Sequence, residues 1–134
     1  MILIGFGHRA RQGKSFSAKV VQEAAARLGL EARIYSVGDE VQRWCEVRGI
    51  IPAGKDREAL TKDELGQLGY YGYTLRKERE DFWIEKVLAR IHRDEPEIAL
   101  IPNIRYPNEA GHVVTLGGVT VLVERFNANG SAYI

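Results

Sequence analysis

Cysteine is almost missing from this sequence: Cys45 is the only one among 134 residues. That excludes an intrachain disulfide and any metal site built on several thiolates, and it fits a reducing compartment. No apolar run approaches the length of a bilayer span, and the N-terminus lacks the cationic start and long apolar core of a secretory signal. A soluble, cytoplasmic protein with no membrane partner is expected. Neither charge dominates. Nineteen Lys and Arg against eighteen Asp and Glu leave +1, which makes no general case for binding nucleic acid or an anionic surface. The three histidines, at 8, 92 and 112, are scattered, and no Ser–His–Asp or Cys–His pattern stands out.

What is present is an alternation of short apolar runs and amphipathic stretches, without repeats or low-complexity linkers. Met1 to Phe6 reads as a buried parallel strand. Ser15 to Leu28 reads as a helix with Phe16, Val20, Ala24 and Leu28 as its apolar stripe and Gly29 as its stop. Ala32 to Val37 is a second strand, and Asp39 to Arg48 a second helix in which Cys45 is expected to pack among Val41, Trp44 and Val47. Between Ile50 and Tyr73 the breakers Pro52, Gly54, Gly66, Gly69 and Gly72 suggest loops with a short helix near Lys62 to Leu68. Leu75 to His92 carries the clearest helical pattern, with Trp83, Ile84, Val87, Leu88 and Ile91 on one face. Ile98 to Ile101, after Pro96, is a third strand, followed by a turn from Pro102 to Asn108. A helix from Glu109 to Leu116 and a strand from Val119 to Glu124 complete the series. This order predicts a single α/β domain over residues 1–134, a mostly parallel sheet covered by helices on both faces.

The stretch Gly5-Phe-Gly-His-Arg-Ala-Arg-Gln-Gly-Lys-Ser15 follows the first strand and fits two patterns. As G-x-G-x-x-A it is a dinucleotide fingerprint; through Gly13-Lys14-Ser15 it ends like a phosphate-binding P-loop, with His8 where the first glycine belongs. A dinucleotide site wants its helix to start near Ala10 and a carboxylate at the end of the second strand. The helical pattern begins instead at Phe16, and Ile34-Tyr35-Ser36-Val37 has no acid. The P-loop is therefore preferred. Its chemistry suits the residues: inward amides and a helix N-terminus for phosphates, Lys14 as a point charge, and Ser15 for Mg²⁺. No acidic residue precedes Glu23, whereas Arg9, Arg11, Lys14 and Lys19 do.

Residues 8–15 resemble the G-K-A-R-S-G-K-D loop of phage deoxynucleoside monophosphate kinases, and Asn103 to Ala110 is similar to that family's D-V-R-F-P-N-E-A segment. Val37-Gly38-Asp39 resembles its F-A-D, and Gln67-Leu68-Gly69, Arg76 and Asp81-Phe82-Trp83-Ile84 its L-Q-x-x-G…R…D-Y-W-I. The resemblance implies a three-layer P-loop NTPase-like fold, with residues 50–80 as a lid or substrate-binding insertion. It implies a cytoplasmic enzyme (host cytoplasm if phage-encoded) that moves the γ-phosphate of ATP, with Mg²⁺, to a deoxynucleoside 5′-monophosphate. A homodimer is compatible with it. Lys14, Arg76 and Arg105 are then the catalytic candidates. His8, Arg9, Ala10, Arg11, Gln12, Gly13, Lys14, Ser15 and Phe16 would surround ATP. Asp39, Arg76, Arg79, Arg105 and Glu109 would hold the acceptor, and Ser15 and Asn103 the metal.

Alternatives remain at several positions. Arg105 could grip the acceptor phosphate with its planar guanidinium or pair with Glu109. Asp39 could bind the sugar or cap its helix. Arg76 and Arg79, read as neighbours on one helix face, could close over phosphates or form a solvated surface. Tyr70, Tyr71 and Tyr73 could stack on a base or pack a loop. Asn103 departs from the family's aspartate and would offer a metal-bound water a hydrogen bond without charge. A nucleotide-binding module with weak or no turnover is the second functional reading, and a nicotinamide-dependent reductase the third.

Overall fold

In the computed structural model, residues 1–7, 14–124 and 126–131 are described, without the side chains of Lys14 and Ser15. The chain forms two compact units: Met1–Ser36 together with Ala89–Ile134, and Val37–Leu88. The first holds a four-stranded parallel sheet made of β1 (Ile2–Gly7), β2 (Ala32–Ile34), β3 (Ile98–Ile104) and β4 (Val119–Leu122), in the order β2-β3-β1-β4. Helix α1 (Lys14–Arg27) joins β1 to β2, and α5 (Pro107–Thr115) joins β3 to β4.

Alternation along the strands separates the two faces. On one, Phe6, Ile98 and Leu100 meet Ala18 and Ala25 of α1, with Ile4, Val21, Ile34 and Val123 packed around them. On the other, Gly5 leaves room where a Cβ would stand 2.9 Å from Ile104 and 3.5 Å from Val113 of α5. Parallel sheet and two-faced cover are as expected: α1, sheet and α5 make three layers. The expected stripe on α1 is not. Phe16, Val20, Ala24 and Leu28 are exposed, and Ala18, half-buried Val21 and Ala25 face the sheet instead. The reason is geometric: four residues turn a helix by about 400°, so a strict i, i+4 row drifts by about 40° per step. The straighter row runs i, i+3, i+7.

Strand β3 is longer than its apolar run suggested, because it continues through Pro102. Gly5 pairs with Ile101 but Gly7 with Ile104, so Pro102 and Asn103 together face the single Phe6. This is a β-bulge, and it is how a central strand accommodates a residue that has no N–H for the ladder. The bulge also turns Ile104 onto the face it would otherwise have left, where it fills the space above Gly5.

The second unit contains α2 (Val37–Val47), a 3-10 turn at Arg57–Ala59, α3 (Lys62–Glu78) and the start of α4 (Phe82–Asp94). Its core joins Val41, Cys45, Ile51, Leu60 and Trp83, with Trp44, Leu68, Tyr71 and Leu75 against them. Cys45 is fully buried there, and burial pushes its thiol pKa up. Trp83, Ile84, Val87 and Ile91 are all buried, as their shared face predicts. The helix boundaries are corrected, however. Rather than one helix from Leu75 to His92, α3 ends at Glu78, α4 starts at Phe82, and α3 runs back to Lys62 through Gly66, Gly69 and Gly72.

A capping box outweighs those glycines. Thr61 accepts from the Glu64 amide at 3.2 Å, and Glu64 accepts from the Thr61 amide at 2.8 Å. That amide, together with Lys55 at 3.0 Å, holds the Glu64 pKa below the ordinary carboxylate value. The associated stability is complete above the unfolded carboxylate pKa and is lost as pH falls through the lower folded value. Thr61→Ala should destabilise this unit by about 1 kcal/mol, read as a lowered urea midpoint; an unchanged midpoint would remove the cap from the account.

Candidate functional site

The strand order decides where the sheet's chain ends diverge. β1 is next to β3, not β2, which is unlike the 3-2-1-4 order of a dinucleotide fold. From β1 the chain passes to α1 on one face; from neighbouring β3 it passes to α5 on the other. That divergence opens a crevice at the carboxyl ends of the two strands, where ligands of open α/β sheets collect. Gly7 and Ile104 are register partners there, so Arg105 leaves the sheet beside the carboxyl end of β1. His8, Arg9, Ala10, Arg11, Gln12 and Gly13, expected around a triphosphate, lie outside the described residues, as do the side chains of Lys14 and Ser15.

The helix that starts at this crevice is electrostatically unlike the others. α2 carries Asp39 and Glu40 in its first turn, α3 Asp63 and Glu64, α4 Glu85, and α5 Glu109; α1 has none and begins with Lys14. A cation at the positive end of a helix is unfavourable, by roughly 0.3–1 kcal/mol at an exposed site. An anion placed there would reverse the sign. Phe16, expected beside ATP, is exposed in this first turn.

Glu109 is 4% exposed, and its Oε1 accepts from the amides of Arg105 (2.9 Å) and Tyr106 (3.1 Å). Its carboxylate thus fixes the turn from β3 into α5, while Pro107 supplies a preset φ at the helix start. Sequence reasoning placed Glu109 near Arg105 but offered a side-chain salt bridge; the contact made is with the main chain. Among the described residues the Arg105 guanidinium has no carboxylate partner, and the residue is exposed at the crevice. Asn103 lies half-buried in the bulge, two residues earlier.

Within the second unit, Asp39 lines an open cleft of about 350 Å³ with Gln42, Arg43, Lys55 and Arg57. Asp39 is two residues inside α2, so it is not the cap. Its Oδ1 accepts from Arg57 Nη2 at 3.1 Å, and Arg57 also reaches Gln42 Oε1 at 3.3 Å. Gly38 lets that guanidinium lie over the first turn, since a Cβ there would be 2.6 Å from Nη1. Arg57 was not a sequence candidate: its partner is eighteen positions away and no local pattern ties the two.

Arg76 is half-buried in the last turn of α3. Arg79 stands just past that helix, paired with Glu85 and close to the Phe82 ring. They do not share one helix face, because the helix ends between them. Tyr71 packs its ring 5.3 Å from Trp44, whereas Tyr70 and Tyr73 are exposed. Trp83 is tied into the core by donating Nε1–H to the Gly72 carbonyl at 3.0 Å.

Among the described residues no group of three His, Cys, Asp or Glu could cage a metal. Mg²⁺ that accompanies a nucleotide needs no such group, since it usually takes one or two protein oxygens and finds the rest in phosphates and water. Among the described helices none is long and apolar enough to cross a membrane. No protein-family model matches this chain, and no curated protein matches it.

Proposed function

We propose that the protein is a deoxynucleoside monophosphate kinase that uses ATP and Mg²⁺. The observation that carries this reading is the start of α1. It lies after the carboxyl end of β1, follows Gly13, opens with Lys14-Ser15, and alone among the α-helices has no acid in its first turn. A polyphosphate answers that arrangement, and Arg105 leaves the neighbouring strand with its charge unpaired among the described residues.

The chemistry asks little of side chains beyond position and charge. An oxygen of the acceptor's 5′-phosphate attacks the γ-phosphorus, a P–O bond forms, and the bond to the β-phosphate oxygen breaks with release of ADP. Lys14 stabilises the charge that gathers between the two polyanions, and Arg105 pairs two oxygens of the acceptor phosphate. Glu109 holds the Arg105 main chain in place. Ser15 and Asn103 are the residues that would hold Mg²⁺, whose role is to neutralise phosphate charge. Asp39 remains an acceptor candidate, and it lines the second unit's cleft together with Arg57. Arg76 and Arg79 complete the acceptor candidates, Arg79 once it is released from Glu85.

A coupled assay for ADP release, run with each deoxynucleoside monophosphate in turn, tests the reading. Release above the ATP-only background with at least one acceptor is expected. ATP binding without release would leave the nucleotide-binding module in its place.

A further inference from the structure

We propose that Asn129 is a site of spontaneous covalent modification, at which its side-chain amide closes on the Gly130 nitrogen, loses ammonia and reopens as aspartate or isoaspartate. Asn129-Gly130 is the only Asn-Gly pair in the sequence; the other asparagines, at 103, 108 and 127, precede isoleucine, glutamate and alanine. The reaction is intramolecular. Apart from water and hydroxide, everything it needs lies between Asn127 and Ser131.

These five residues close a turn on themselves. The Asn127 amide donates to the Ser131 carbonyl at 2.8 Å, and the Gly130 amide to the Asn127 carbonyl at 2.9 Å. Within the turn, Asn129 Oδ1 accepts from the Ser131 amide at 3.0 Å and from the Ser131 hydroxyl at 2.6 Å. The first of these bonds makes an Asx turn, which folds the side-chain amide over the peptide joining residues 129 and 130. The attacking nitrogen and Cγ are thereby kept on one side of the chain. Asn127 Nδ2 donates to Ser131 Oγ at 3.1 Å. With that lone pair occupied, the hydroxyl turns its single proton toward Asn129. Gly130, at φ 85°, takes up the left-handed conformation without a Cβ to obstruct ring closure.

The two donors matter because of where charge develops. Hydroxide removes the Gly130 N–H proton, the nitrogen bonds to Cγ, and the negative charge passes to Oδ1. As the tetrahedral carbon collapses, the bond to Nδ2 breaks and ammonia leaves with a proton from water. Water then opens the five-membered imide at either carbonyl, and nothing is oxidised or reduced. The Ser131 N–H and Oγ–H are already aimed at the oxygen that becomes an anion, as in an oxyanion hole. Both bonds strengthen as the charge forms, whereas the single Gly130–Asn127 bond given up joins neutral groups. The balance favours closure. Opening at the main-chain carbonyl of residue 129 gives isoaspartate, whose chain continues through Cβ and Cγ. Either product adds a negative charge to a chain of net charge +1.

Full-length protein held at mildly alkaline pH and then digested with trypsin should yield a peptide from Phe126 to Ile134 in which NH is replaced by O at residue 129, with Asn127 of the same peptide unchanged. Its accumulation should be first order, independent of protein concentration and proportional to hydroxide. Ser131→Ala removes the hydroxyl donor and should slow conversion at least ~3-fold, well short of the ~10²-fold lost with an enclosed donor, because water can take its place. Gly130→Ala should slow it at least ~10-fold. Because the Ser131 donors are held in place only in the folded chain, unfolding in guanidinium should slow conversion too. An Asn129 that stays intact in the folded parent overturns the proposal. So does an equal rate in Ser131→Ala, or faster conversion of the unfolded chain, since either removes the turn from the chemistry.

Discussion

Lys14→Ala is expected to lower ADP formation at least ~10²-fold, the scale on which removing one preorganised charge from a reacting centre acts. The size follows from what remains. Main-chain amides and the dipole of α1 can bind phosphate in the ground state, but neither follows charge as it shifts toward the bridging oxygen. Turnover should therefore fall further than ATP affinity. Lys14→Arg should restore binding better than rate, because a planar fork cannot reproduce a compact ammonium on a flexible stem. Lys14→Ala also removes an unfavourable cation from the start of α1, so the unliganded alanine variant should be as stable as the parent or slightly more so. Rate by single turnover, affinity by titration and stability by urea separate these effects. An alanine variant with undiminished turnover would take Lys14 out of the mechanism. Nicotinamide-cofactor binding that ignores the substitution would instead favour the reductase.

The parts of the fold visible in the sequence were those governed by local chemistry. The apolar runs of β1 and β3 and the helical face of Trp83, Val87 and Ile91 are short-range patterns, and the chain follows them. The failures share a cause: a weaker local signal overridden by a distant or neglected one. Gly66, Gly69 and Gly72 suggest no more than a short helix near Lys62 to Leu68, yet Thr61 and Glu64 cap one that runs on to Glu78. Pro102 looked like the end of β3, but its missing N–H is absorbed where Phe6 faces two residues. On α1 the larger apolar residues attracted the assignment, while Ala18 and Ala25 lie on the sheet. The site divides in the same way. Glu109 follows Arg105 closely enough to be linked from sequence, whereas Arg57 and Asp39 meet only because the loop after α2 folds back over Gly38.

Glu109→Ala should be the most damaging single change at the β3–α5 turn, costing about 3 kcal/mol. The carboxylate is buried and accepts from two consecutive amides, and alanine leaves both N–H groups without that acceptor in a site closed to most water. It also removes the acid from the first turn of α5. Glu109→Gln keeps an acceptor oxygen in nearly the same volume and should cost roughly a third as much. The kinetic consequence separates positioning from contact. If Glu109 acts by fixing the Arg105 main chain, alanine should raise the KM for the acceptor nucleotide more than that for ATP, and glutamine should largely restore it. If instead the carboxylate touched the acceptor directly, alanine and glutamine would impair its binding alike and the urea midpoint would barely move. Equal stability of all three proteins would contradict the hydrogen bonds on which the role of Glu109 rests.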